Sequence, residues 1–175
     1  GFSCLDGLTP TARGEAAAAI RGDNELWLGL ALTSGELDDL DPHHLAAACA
    51  ALVTETPRPD SGVCYPSPQV EEALDRLRGV RRQLFQMQRR RNVALPVWLE
   101  DELVGLIEQW ALGAEWQQIC SNTNLDEGDL VRMLRRTLDI LSQLPHVPHL
   151  SDGLKRNAIR AIQIMDRFPV NEMVG

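Results

Sequence analysis

Aromatic residues are scarce in this sequence, at 5% of 175 positions, and lysine is nearly absent: Lys155 stands alone against sixteen arginines. Few aromatics beside abundant Leu and Ala favour helices over strands. No apolar run approaches the roughly 20 residues that a membrane span needs, so no membrane partner is expected. The opening GFSCLDGLTPTARG has neither the basic head nor the apolar core of a secretory leader. It also lacks an initiating Met, which points to a piece cut from a longer protein. Cys4, Cys49, Cys64 and Cys120 are widely spaced with no C-x-x-C pair, as expected for reduced thiols of a cytoplasmic protein. His43-His44 and the His146/His149 pair of PHVPH come without a cysteine pair at ligand spacing, so no metal site is expected.

The motifs of several chemistries are missing as well. There is no G-x-x-x-x-G-K-[ST] phosphate loop, no G-x-G-x-x-G after a strand, no G-x-S-x-G elbow and no H-E-x-x-H. The acid pairs Asp38-Asp39 and Glu100-Asp101 fall in helix first turns or polar loops, where capping accounts for them better than acid–base chemistry. The chain is therefore expected to be non-enzymatic by itself, with no catalytic residue and no cofactor of its own.

What is present is helical periodicity from end to end. Helical blocks are expected from about Thr11 to Gly35, with a break at Gly22-Asp23 and a cap at Asn24. Asp41-Pro42 should open a helix reaching about Glu55. The prolines at 57, 59, 66 and 68 mark a loop, and Ser67-Pro68 should open the longest helix, to about Asn92. Helices are then expected over WLEDELVGLIEQWALG, AEWQQIC, EGDLVRMLRRTLDILSQL and, capped by Ser151, DGLKRNAIRAIQIMDRF. The fold class is all-α, a bundle of about seven or eight helices. One domain over 8–172 is expected, divisible into packed sub-bundles at roughly 8–56 and 67–172, with the Pro-rich loop 57–66 between them.

The net charge of −8 is unevenly spread. Residues 1–75 carry 3 basic and 13 acidic side chains (net −10), and residues 76–175 carry 14 and 12 (net +2). Seven arginines and no acid lie between Arg76 and Arg91. That run, including Arg81, Arg82, Arg89 and Arg90, reads either as a solvated basic face helped by the helix dipole or as a phosphate or protein-docking surface.

The segment Asp126 to Gln143 stands out. At 100° per residue from Val131, Ser142, Arg135, Asp139, Arg132, Gln143 and Arg136 fall between roughly 20° and 140°. The rest of the circumference is largely apolar, so only a narrow stripe, Arg132-Arg136-Asp139-Gln143, should meet water or a ligand. The stripe is either a surface strip with a local ion pair, Arg135 or Arg136 with Asp139, or a face that meets a strand of nucleic acid.

The run IEQWALGAEWQQICSNTNLDEGDLVRMLRRTLDILSQL resembles the core of the DSHCT domain, the C-terminal helical domain of DExH-box RNA helicases of the Ski and exosome-associated type. Trp110, Gly113 and Trp116 match the family's W-x-x-G-x-x-F/W spacing, and Glu127, Gly128, Arg132, Arg135 and Arg136 match its E-G-x-x-x-R-x-x-R-R run. The flanks resemble the family too, and AIQIMDRFPVNE resembles its bacterial and plastid branch. The resemblance implies packing on helicase motor domains of the same polypeptide and contact with single-stranded RNA through a ratchet-like helix. By position, that role falls on Asp126 to Gln143, with Arg136 and Asp139 as chief contacts and Arg132, Arg135 and Gln143 beside them. It further implies ATP and Mg in the parent helicase. Two features depart from the pattern: Gly14-Glu15 stands where members often have Gly-Arg, and the N-terminal third is acidic. Two other readings remain open, a helix-turn-helix that binds DNA and a pure protein-docking scaffold.

Overall fold

A computed structural model describes residues 25–54, 62–91 and 99–171, without the side chains of residues 25–26 and 87–91. Seven α-helices lie within them: α1 Glu25–Thr33, α2 Pro42–Val53, α3 Pro68–Arg91, α4 Val104–Ala111, α5 Trp116–Ser121, α6 Glu127–Gln143 and α7 Asp152–Met165. A 3-10 turn, Leu144–His146, follows α6. The fold is an all-α bundle. None of its described helices is long and apolar enough to cross a membrane. The helix expected near Thr11, its break at Gly22-Asp23 and the Asn24 cap lie outside the described residues.

The bundle is built around α2. Residues Leu45 to Leu52 are all fully buried, so this helix has no solvent face over two turns. Its composition makes that possible, because five alanines and Cys49 let neighbouring helices approach on every side. Helices α3, α4, α6 and α7 pack on it, and α1 packs on α3. One continuous apolar core joins residues before the Pro-rich segment, such as Trp27 and Leu37, to Leu106, Leu134 and Met165 beyond it.

Helix ends follow the capping chemistry in several places. Ser151 accepts the Leu154 N–H at 3.1 Å, and Asp126 accepts the Asp129 N–H at 2.8 Å. Pro42 and Pro68 begin α2 and α3, and α2 ends at Val53, two residues before the expected limit. The segment expected to be helical from Trp98 differs more, because α4 begins only at Val104. Glu100 explains the late start. Its Oε1 accepts the backbone N–H groups of Glu102 at 2.5 Å and Leu103 at 2.9 Å. Its own N–H donates to the Ala51 carbonyl at 2.9 Å. These bonds hold residues 100–103 as a lead-in across the end of α2. At the other end of the chain α7 stops at Met165, short of the expected Phe168. There the Arg167 guanidinium turns back to the Ile164 carbonyl at 2.6 Å.

Gly105 shows how tightly α4 is seated. A Cβ there would lie 2.5 Å from the Tyr65 carbonyl oxygen and closer still to that of Cys64. The Gly105 N–H donates to that Cys64 carbonyl at 2.9 Å, fixing the end of the Pro-rich loop against α4.

Candidate nucleic-acid interface

Helix α6 carries most of the expected site. Leu130, Val131, Met133, Leu134, Thr137, Ile140 and Leu141 are buried, and Thr137 ties its hydroxyl back to the Met133 carbonyl at 2.9 Å. The narrow face read from the sequence stays outside: Arg132, Arg136 and Asp139 are exposed and Gln143 is half-buried, with Ser142 beside them and Glu127 at the helix start also exposed.

The polar residues on and beside that face have distinct surroundings. Arg132 pairs with Asp129, one turn earlier, while its side chain stays 61% exposed. The Asp139 carboxylate accepts from Gln143 Nε2 at 3.1 Å. Arg135 points elsewhere: it is half-buried, and its Nε donates to the Val170 carbonyl at 3.0 Å. Arg135 therefore pins the chain after α7 against α6, which sets it apart from the exposed stripe. The ion pair on this face joins Arg132 to Asp129, residues other than the expected Arg135 or Arg136 with Asp139.

The tryptophan and glycine signature before α6 is a structural corner. Gly113 follows α4 with φ +99°, a left-handed conformation that favours glycine, and the chain turns there into α5. Trp110 is buried and donates from Nε1 to the Met165 carbonyl at 2.9 Å. Trp116 meets it edge to face at 5.6 Å between centroids. Trp116 Nε1 donates to Glu127 Oε1 at 3.0 Å, so the acid that opens α6 is bound to α5.

Arg167 completes this corner, a role that the sequence pattern does not assign. Its guanidinium lies 3.4 Å from the centre of the Trp110 ring and donates to the Trp110 and Ala114 carbonyls at 3.0 and 2.5 Å. An arginine just past the last amphipathic helix is the available signal, but nothing in its spacing points to Trp110.

The basic run on α3 is partly neutralised. Arg76 pairs with Glu36 at 2.8 Å, and Arg78 pairs with Asp75 and, at 2.7 Å, with Asp101. Arg81 and Arg82 form no ion pair among the described residues. The Arg81 guanidinium sits 5.8 Å from the centre of the Phe85 ring, which is exposed. Burial, helped by the charges of Arg78 and Arg82, lowers the Arg81 pKa. The side chains of Arg89 and Arg90 lie outside the described residues.

An all-α bundle presenting one polar stripe from an otherwise buried helix, with a tryptophan corner seating that helix, is the class of domain defined here. The chain belongs to the DSHCT (NUC185) domain family, whose match covers residues 7–173. It is 42% identical, over 93% of its length, to the chloroplastic DExH-box ATP-dependent RNA helicase DExH15 of Arabidopsis thaliana. It is 29% identical over 90% of its length to the probable helicase HelY of Mycobacterium leprae. With the ATP-dependent RNA helicase mtr4 of Schizosaccharomyces pombe it shares 27% identity over 82% of its length. The chain spans 14%, 18% and 13% of these three relatives, respectively.

Proposed function

We propose that this chain is the accessory helical domain of an ATP-dependent RNA helicase, and that the α6 stripe contacts single-stranded RNA. In this reading it packs on motor domains of the same polypeptide, and ATP and Mg act there. The observation that carries the reading is the α6 geometry. A helix held by its buried side on α2 and α7 offers Arg132, Arg136, Asp139 and Gln143 outward along one face, at i, i+4, i+7 and i+11. Sequence-tolerant binding of a single strand calls for cations against phosphate and planar groups against bases. Arginine supplies both, and a seated helix holds it in place. Arg81 and Arg82 on α3, with the exposed Phe85, form a secondary phosphate or docking surface.

The start of α6 counts against a duplex-reading helix. A recognition helix places its N-terminal residues at base edges, and here that end carries Asp126, Glu127 and Asp129. Three acids there would face the phosphates of a duplex. Fluorescence anisotropy with labelled single-stranded RNA and duplex DNA over a range of salt concentrations tests the proposal. Single-stranded RNA should bind more tightly regardless of sequence, with affinity falling about tenfold in Arg136→Ala. A preference for the duplex would replace this reading with the helix-turn-helix one. RNA binding that ignores Arg136→Ala would remove the stripe from it.

A further inference from the structure

Asp41 occupies the N-cap position of α2, in extended backbone, yet its carboxylate makes no capping bond to the helix. Its Oδ2 lies instead 3.9 Å from His44 Nδ1. The donor atoms of Asp41, His43 and His44 all fall within 4.8 Å of one another, and the two imidazole centres are 4.0 Å apart. On the far side of His44, Nε2 lies 3.6 Å from Glu108 Oε2. Glu108 is only 6% exposed, and its Oε1 accepts the Ser67 N–H at 2.8 Å.

These positions set a hydrogen-bonding problem. A buried carboxylate 3.6 Å from Nε2 favours the neutral tautomer that carries its proton on that nitrogen. Nδ1 then presents a lone pair toward the Asp41 carboxylate, acceptor against acceptor. A cation between them turns the repulsion into coordination. A carboxylate behind a ligating histidine is also the usual way a metal site fixes the ring and its tautomer.

We propose that Asp41, His43 and His44 bind one divalent transition-metal ion, with Glu108 as the positioning residue behind His44. The donor set, two imidazoles and one carboxylate, suits zinc better than calcium or magnesium, which take oxygen ligands. Neighbouring donors of a tetrahedral zinc site stand about 3.4 Å apart. The Asp41 side chain is 71% exposed and free to close the remaining distance by rotation. By sequence alone His43-His44 lacks a cysteine pair to complete a site. Folding adds Asp41 from the preceding turn and Glu108 from α4. The site is independent of the RNA reading.

Equilibrium dialysis of the chain against Zn2+, with the visible absorption of Co2+ as a second readout, tests the site. One zinc per chain is expected. Asp41→Asn and His43→Gln should each weaken binding at least tenfold with the circular dichroism unchanged. Glu108→Gln should weaken it roughly 10–100-fold without changing the stoichiometry, and replacing His146 and His149 by Gln should change nothing. No zinc bound at stoichiometric concentrations would overturn the proposal. So would equal affinity in the wild type, Asp41→Asn and His43→Gln.

Discussion

Helices α3 and α6 are both rich in arginine, and their arginines have different surroundings. On α6, seven residues are buried, and Arg132, Arg136, Asp139 and Ser142 are exposed on one narrow face. On α3, Val70, Ala73, Leu74, Leu77 and Leu84 are buried, and its first arginines pair with acids from α3 itself, the turn after α1 and the lead-in to α4. Charge density alone would favour α3 as the nucleic-acid surface, since its stretch from Arg76 to Arg91 holds seven arginines and no acid. Geometry favours α6, because a cation helps a strand bind only where its neighbours hold it in place and leave it reachable.

The comparison can be broken at its strongest point first. Removing both outward arginines, Arg132→Ala with Arg136→Ala, should weaken single-stranded RNA binding by about two orders of magnitude. It should also reduce the slope of log affinity against log salt by roughly 1.4, at about 0.7 for each phosphate no longer neutralised. Weaker binding without that change in slope would mean that the arginines act through protein contacts instead.

Glu100 sharpens the comparison from the α3 side. Burial pushes its carboxyl up to about 7, partly opposed by hydrogen bonds from the Glu102 and Leu103 backbone. An acid whose folded pKa lies above its unfolded value holds more protons when folded, so its stabilisation is complete below about pH 4.5 and declines as pH rises through 7. Asp101, beside it, holds Arg78 of α3. Glu100→Gln keeps the acceptor for the two backbone N–H groups and removes the charge. Its melting temperature should exceed the wild type's by a margin that grows from pH 5 to pH 8, reaching about 2 kcal/mol of stability. A constant margin would show that Glu100 does not titrate in this range.

Arg135 separates the two uses of arginine within α6. Its bond to the Val170 carbonyl predicts that Arg135→Ala costs about 1 kcal/mol of stability, read by urea denaturation, with RNA affinity changed less than twofold. The smallest effect is expected on α3. Arg81→Ala with Arg82→Ala should weaken RNA binding two- to threefold, uniformly across sequences, with melting temperature unchanged. An effect as large as that of the α6 pair would reverse the ranking.

Much of this contrast is legible in the sequence. The angular spread of Val131 to Gln143 places the buried side and the stripe, because a 3.6-residue period translates directly into faces. The all-α class follows from the same periodicity. The role of Arg135 is not legible, since its angle falls inside the polar arc, between exposed Ser142 and Asp139, and its partner is a carbonyl 35 residues away. The late start of α4 is also hidden. LEDEL has helical composition, and the bonds from Glu100 to Glu102, Leu103 and Ala51, with the Cys64 N–H on the Glu102 carbonyl, hold it out of the helix. The tryptophan motif is visible as a family mark, whereas its physical purpose, a corner closed by Arg167, emerges only with the fold.

Site-specific photo-crosslinking tests the central claim most directly. A photoreactive residue placed at position 136 of α6 or at position 82 of α3, in the chain joined to its motor domains, is irradiated with labelled single-stranded RNA. The account predicts a strong crosslink from position 136, competed by unlabelled single strand of any sequence, and a weaker one from position 82. A crosslink from position 82 with none from position 136 would contradict it.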